Sequence, residues 1–88
     1  MTPAETPNRS TMSREEQDQA LRDFGMRVRH ARQERGYTQN ELAETAGVDR
    51  KTISRIENSR FSPSLANVFA IAHALNVSVR ELMPHREK

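Results

Sequence analysis

Helix punctuation constrains this chain more than any other feature of its sequence. Twice a Ser/Thr-x-x-Glu pair stands inside an apolar bracket: Thr38 and Glu41 with Tyr37 and Leu42, then Ser78 and Glu81 with Val77 and Leu82. In such a capping box the hydroxyl accepts from the N3 backbone N–H, the glutamate reaches back to the N-cap N–H, and the apolar pair staples the chain's entry. Helices are therefore expected from Gln39 and just after Ser78. Gly36 ends a preceding helix, and Gly47 supplies a left-handed residue about two turns into the next. Asp49 follows as an N-cap, stapled by Val48 and Ile53, for a third helix from Arg50 to about Asn58. Pro63 and Ser64 introduce a fourth helix, and Pro84 stops a short fifth.

Apolar periodicity fits the same frame. Leu21, Phe24, Val28 and Ala31 form one stripe, Ile53 and Ile56 turn inward on the third helix, and Leu65, Val68, Phe69, Ala72 and Leu75 form the stripe of the fourth. No strand pattern competes. With 88 residues, 34% hydrophobic and no cysteine, the chain has room for one all-α domain closed by packing alone. Residues 1–19 offer almost nothing to bury and are expected to be a flexible acidic arm, residues 20–84 the domain and 85–88 a tail. Two alternatives stay open at the boundary: Ser13 onward as a frayed extension of the first helix, or Met12-Ser13 as its true start.

Several function classes fall away. His30, His73 and His85 lack metal-ligand spacing, no glycine-rich phosphate loop exists, and Ser54 near Glu57 is one helical turn, so neither enzyme, cofactor nor metal is expected. No apolar run has the length of a membrane span or a signal peptide, so a cytoplasmic protein is expected. The net charge of +2 hides an asymmetry: residues 1–19 hold two arginines against four acids, and the remainder twelve basic against eight acidic residues. A basic body suits a polyanionic partner, and suits an ordinary solvated surface equally well.

Two short helices joined by a tight turn, from Gln39 to about Asn58, fit a helix-turn-helix. Ala43 leaves room for the second helix to cross closely, Gly47 permits the turn, and Ile53 and Ile56 anchor the second helix to the core. At 100° per residue the opposite face carries Lys51, Ser54, Arg55 and Asn58, with Arg50 at the helix start. Arg and Lys can donate to guanine O6 and N7, and Ser or Thr to several base edges, which is the chemistry a major groove reads.

The stretch from Gly36 (Gly-Tyr-Thr-Gln-Asn-Glu-Leu-Ala) through Gly47 to Asn58, followed by Pro63-Ser-Leu and Ala72-His-Ala-Leu-Asn-Val, resembles the Cro and phage-repressor (Xre-like) helix-turn-helix family. The resemblance covers about Leu21 to Met83. It implies a five-helix, lambda-repressor-like DNA-binding domain, usually a dimeric transcriptional regulator. Position by position, it implies a phosphate contact at Gln39, in keeping with an anion at a helix start. Base contacts are implied at Arg50, Lys51 and Arg55, with Thr52 and Ser54 as auxiliary contacts, and backbone contacts at Asn58 and Arg60. Arg32 and Glu57 match a pair in which an arginine of the first helix, sometimes beside a phosphate, is held by a glutamate ending the recognition helix. One departure stands out: many members have glycine shortly after the Glu57 position, where this chain reads Asn58-Ser59-Arg60-Phe61. Asn58 tolerates the left-handed conformation there, and Phe61 is expected to pack beneath the loop.

The expected function is a sequence-specific double-stranded DNA-binding regulator that reads a palindromic operator as a homodimer, because one helix reads only a few base pairs. Val79 and Met83, flanked by Ile71, are candidates for the dimer interface, with a role as satellite core as the competing reading. A protein-interaction module of the same fold, such as an adaptor or antitoxin, is the rival function.

Overall fold

The computed structural model describes residues 11–59 and 61–84. Among these the chain is all helical: α1 (Arg14–Glu34), α2 (Gln39–Ala46), α3 (Arg50–Glu57), α4 (Leu65–Leu75) and α5 (Val79–Leu82). Both expected capping boxes form. Thr38 Oγ1 accepts from the Glu41 N–H at 3.0 Å while Glu41 Oε1 accepts from the Thr38 N–H at 2.8 Å. Ser78 and Glu81 repeat the pattern at 3.3 Å in both directions. Gly47 closes α2 at φ +75°, and the next residue, Val48, donates its N–H back to the Ala43 carbonyl at 2.9 Å.

One helix start decides between alternatives the sequence left open, and another differs from expectation in its cap. A third capping box begins α1 at Arg14: Ser13 Oγ accepts from the Glu16 N–H at 3.0 Å, and Glu16 Oε1 from the Ser13 N–H at 2.8 Å. Residues 14–19, expected in the arm, are therefore helical although all are exposed. Local hydrogen bonds start this helix before it has anything to bury. The rest of the expected arm, up to residue 10, and the tail at 85–88 lie outside the described residues. At α3, Asp49 has the extended backbone of an N-cap, but its side chain makes no capping hydrogen bond. Its backbone carbonyl accepts from Thr52 and Ile53 while the residue stays exposed.

One core joins all five helices. Val28 of α1, Leu42 of α2, Ile53 and Ile56 of α3, Ile71 and Leu75 of α4, and Leu82 of α5 are all fully buried, each stabilising the fold by about 1.5–3 kcal/mol. Tyr37, Val48 and Val77, the outer halves of the three staples, pack against the same cluster, and so does Phe61, as expected. Helix α1 packs on α3 and α5, α2 on α3 and α4, and α4 on α5. No helix of the described residues is long and apolar enough to cross a membrane.

The roll of α4 differs from expectation. Leu65 and Phe69 are 64% and 54% exposed, whereas Ile71 and Ala74 are buried beside Val68, Ala72 and Leu75. This helix is apolar almost all round, so its sequence offers two overlapping stripes and periodicity cannot choose between them. Packing against α2 on one side and α5 on the other selects the stripe through Ile71.

Candidate nucleic-acid interface

The roll of α3 is fixed from below. Ile53 and Ile56 are fully buried and Glu57 is buried beside them, so successive 100° steps turn Arg50, Lys51, Arg55 and Asn58 to solvent and leave Thr52 and Ser54 half-buried at the margin. Among the described residues no ion pair or hydrogen bond occupies the side chains of Arg50, Lys51 or Arg55. Asn58 Nδ2 donates to Ser54 Oγ at 3.4 Å along the same face. The result is a short rod whose outer edge is cationic and rich in donors.

A single carboxylate ties this rod to the other two helices of the junction. Glu57 Oε2 accepts from Arg32 Nε at 2.7 Å, and Oε1 accepts from Arg32 Nη2 at 3.0 Å, a bidentate clamp between the end of α3 and α1. Arg32 Nη1 donates to the Tyr37 carbonyl at 2.9 Å, which also fixes the loop before α2. Gln39 Nε2, on the first residue of α2, donates to Glu57 Oε1 at 3.1 Å and still keeps one N–H. Burial pushes the Glu57 carboxyl up, but the hydrogen bonds from Arg32 and Gln39, the Arg32 charge and the Arg29 contact together hold it below its ordinary value. The Glu57 hydrogen bond raises Arg32 in turn, against its own burial. With its side chain 11% exposed and all three nitrogens engaged, Arg32 acts chiefly as a strut.

A helix-turn-helix family profile, HTH_3, matches residues 28–82, which takes in α2, α3, α4 and α5. The chain belongs to this family, of the Cro and phage-repressor type. An uncharacterized HTH-type transcriptional regulator of Methanothermobacter thermautotrophicus is 52% identical over 48 residues, 54% of this chain and 70% of that protein. The restriction-modification controller protein C.AhdI of Aeromonas hydrophila superposes with a TM-score of 0.70 at 36% identity, over 72% of this chain and 96% of that one. A crystal structure of the master regulator for biofilm formation, SinR, in complex with DNA gives a TM-score of 0.64 at 40% identity, over 67% of this chain and 95% of that one. The chain spans 60% of the SinR of Bacillus licheniformis and 41% of the immunity repressor of Bacillus phage phi105.

Within this HTH_3 domain the segment after α3 departs from the expected path. Asn58 keeps a negative φ of −97°, and Ser59 takes the left-handed conformation at φ +59°. The Asn58 N–H still donates to the Ser54 carbonyl at 3.0 Å, so the helical turn runs one residue further before it reverses. Ser59 Oγ donates to the Leu21 carbonyl of α1 at 3.4 Å, which partly offsets a conformation that costs a non-glycine residue about 1–2 kcal/mol. Arg60, an expected backbone contact, lies outside the described residues.

The other expected site residues divide. Ala43 and Gly47 occupy the buried crossing and the left-handed turn that the helix-turn-helix requires. Ile71 is corrected as an interface candidate: it is fully buried in the domain's own core. Val79 and Met83 are half-buried and pack against that core. Two residues were missed. Gly25 lies where α1 crosses α3, and a Cβ there would overlap the Ile56 carbonyl oxygen. An isolated glycine in a helical pattern was its only signal. Arg29 donates from Nε to Glu57 Oε1 at 3.4 Å, and its one hint was its place a turn before Arg32.

Proposed function

We propose that this chain is a sequence-specific double-stranded DNA-binding transcriptional regulator that reads a palindromic operator as a homodimer, with α3 in the major groove. The observation that carries the reading is the fixed roll of α3, which leaves the donors of Arg50, Lys51 and Arg55 on one outward edge while Ile53, Ile56 and Glu57 lock the opposite one. Those three side chains read base edges, with Thr52 and Ser54 at the margin of the contact. Gln39, oriented by Glu57 at the start of α2, and Asn58 at the end of α3 meet backbone phosphates and set the register. Arg32 contributes by holding Glu57 and the Tyr37 carbonyl, so its effect on the phosphate contact passes through Gln39. Transcriptional regulators of this family, and SinR bound to DNA, support the reading.

Two copies related by a two-fold axis would present their α3 helices about 34 Å apart, one helical turn of DNA, and the half-buried edge formed by Val79 and Met83 at the α5 end is the proposed contact between them. Selection of bound duplexes from a random pool at a stated salt concentration tests both levels. A recovered palindrome with half-sites one turn apart is the expected result. A single asymmetric half-site overturns the homodimer. No enrichment, with stable co-purification of a second protein, overturns sequence reading in favour of a protein-interaction module.

A further inference from the structure

Charge does not balance around Glu57. One carboxylate faces two guanidinium groups, and distance ranks them: Arg32 holds both oxygens at 2.7 and 3.0 Å, while Arg29 Nε stands 3.4 Å from Oε1. Gln39 Nε2 takes the same Oε1 at 3.1 Å. Three donors thus crowd an oxygen with two lone pairs, and Arg29 is the outermost, near the limit of a hydrogen bond. Its side chain is 47% exposed, against 11% for Arg32 and 0% for Glu57. Among the described residues its two terminal nitrogens make no hydrogen bond. Because Arg29 and Gln39 reach one oxygen, the spare guanidinium sits beside the first residue of α2, at the positive end of that helix.

We propose that Arg29 is a phosphate anchor of the DNA interface, resting on Glu57 in the free protein and turning to the phosphate met by Gln39 in the complex. The inference rests on the DNA-binding reading above. Once Arg32 has neutralised Glu57, Arg29 is an uncompensated positive charge, and a phosphate oxygen offers it a shorter, charge-assisted bond than the carboxylate does. The exchange strands nothing, since Glu57 keeps its bidentate arginine and Gln39. Giving up a half-exposed ion pair costs little.

Salt dependence of binding tests the assignment. The wild type, Arg29→Gln and Arg29→Lys are titrated by fluorescence anisotropy onto a labelled mixed-sequence duplex, from about 50 to about 200 mM salt. For Arg29→Gln the slope of log K against log salt is expected to fall by about 0.9, the signature of one lost phosphate contact, with an equal fold-loss on every duplex. Arg29→Lys, which keeps the charge, is expected to keep the wild-type slope, and both variants to keep the wild-type melting midpoint. An unchanged slope in Arg29→Gln, with or without a lowered midpoint, overturns the proposal and leaves DNA binding intact. A slope lowered equally in both variants also overturns it. A wild type that shows no salt-dependent binding brings down the DNA-binding reading itself, and this inference with it.

Discussion

The two faces of α3 have opposite characters. Inward, Ile53, Ile56 and Glu57 are buried and each is held by other helices; outward, Arg50, Lys51 and Arg55 have no partner among the described residues. The inner face fixes position and the outer face carries chemistry, with little shared between them. Outer residues can therefore change the chemistry this face presents without disturbing the fold, whereas a change on the inner face shifts the outer one with it. The Glu57 network extends this division to Gln39, whose amide is oriented by a carboxylate at the far end of another helix.

The sharpest attempt to break the division is at Glu57. Glu57→Gln leaves the mostly buried Arg32 without its counter-charge and is expected to destabilise the fold by about 3 kcal/mol, measured by urea denaturation. Acid dependence gives a second handle on the same residue. The Glu57 carboxyl is held below the 4.5 of an ordinary glutamate, so its stabilisation is complete above about that pH and is lost as pH falls through the depressed folded value. The wild type should lose this component on acidification below 4.5, and Glu57→Gln should lack it.

Next in size is Gly25→Ala. Helix propensity alone favours alanine by about 1 kcal/mol, but overlap with the Ile56 carbonyl forces α1 away from α3 and is expected to cost about 1–3 kcal/mol net. Thermal melting gives the sign, and a stabilised variant would show that the crossing is looser than described. On the outer face, Lys51→Ala and Arg55→Ala are each expected to weaken binding by about 1–3 kcal/mol at particular bases, with no change in melting. A uniform loss on every duplex would make these residues phosphate contacts and blur the comparison. The smallest effect is expected at Ser59→Gly, which relieves a left-handed serine and gives up one long hydrogen bond to Leu21. A gain of up to about 1 kcal/mol is expected by denaturation.

What was legible in the sequence was mostly local chemistry. Starts at Gln39 and Val79, the turn at Gly47 and the outward order of Arg50, Lys51 and Arg55 follow from interactions within one helical turn or one staple. What escaped depends on a second helix. Nothing near Leu65 or Phe69 says that Ile71 takes their place inside, because that choice is made by α2 and α5. Gly25 and Arg29 owe their roles to the end of α3, about thirty residues away in the chain. Asp49 and Ser13 show the limits of cap reading: both are favoured N-cap residues, but only Ser13 makes a side-chain cap, and only Ser13 has a glutamate three residues on to complete the box. Ser59 in place of Asn58 at the reversal is a shift of one residue, set by a hydroxyl that finds a carbonyl on α1.

Because every helix places a side chain in the one core, the domain has no subunit able to survive alone, and its melting should be cooperative and all-or-none. A protease cut in the loop before α4, or loss of the single turn of α5, is expected to dismantle the outward cationic edge of α3 as surely as removing α3 itself.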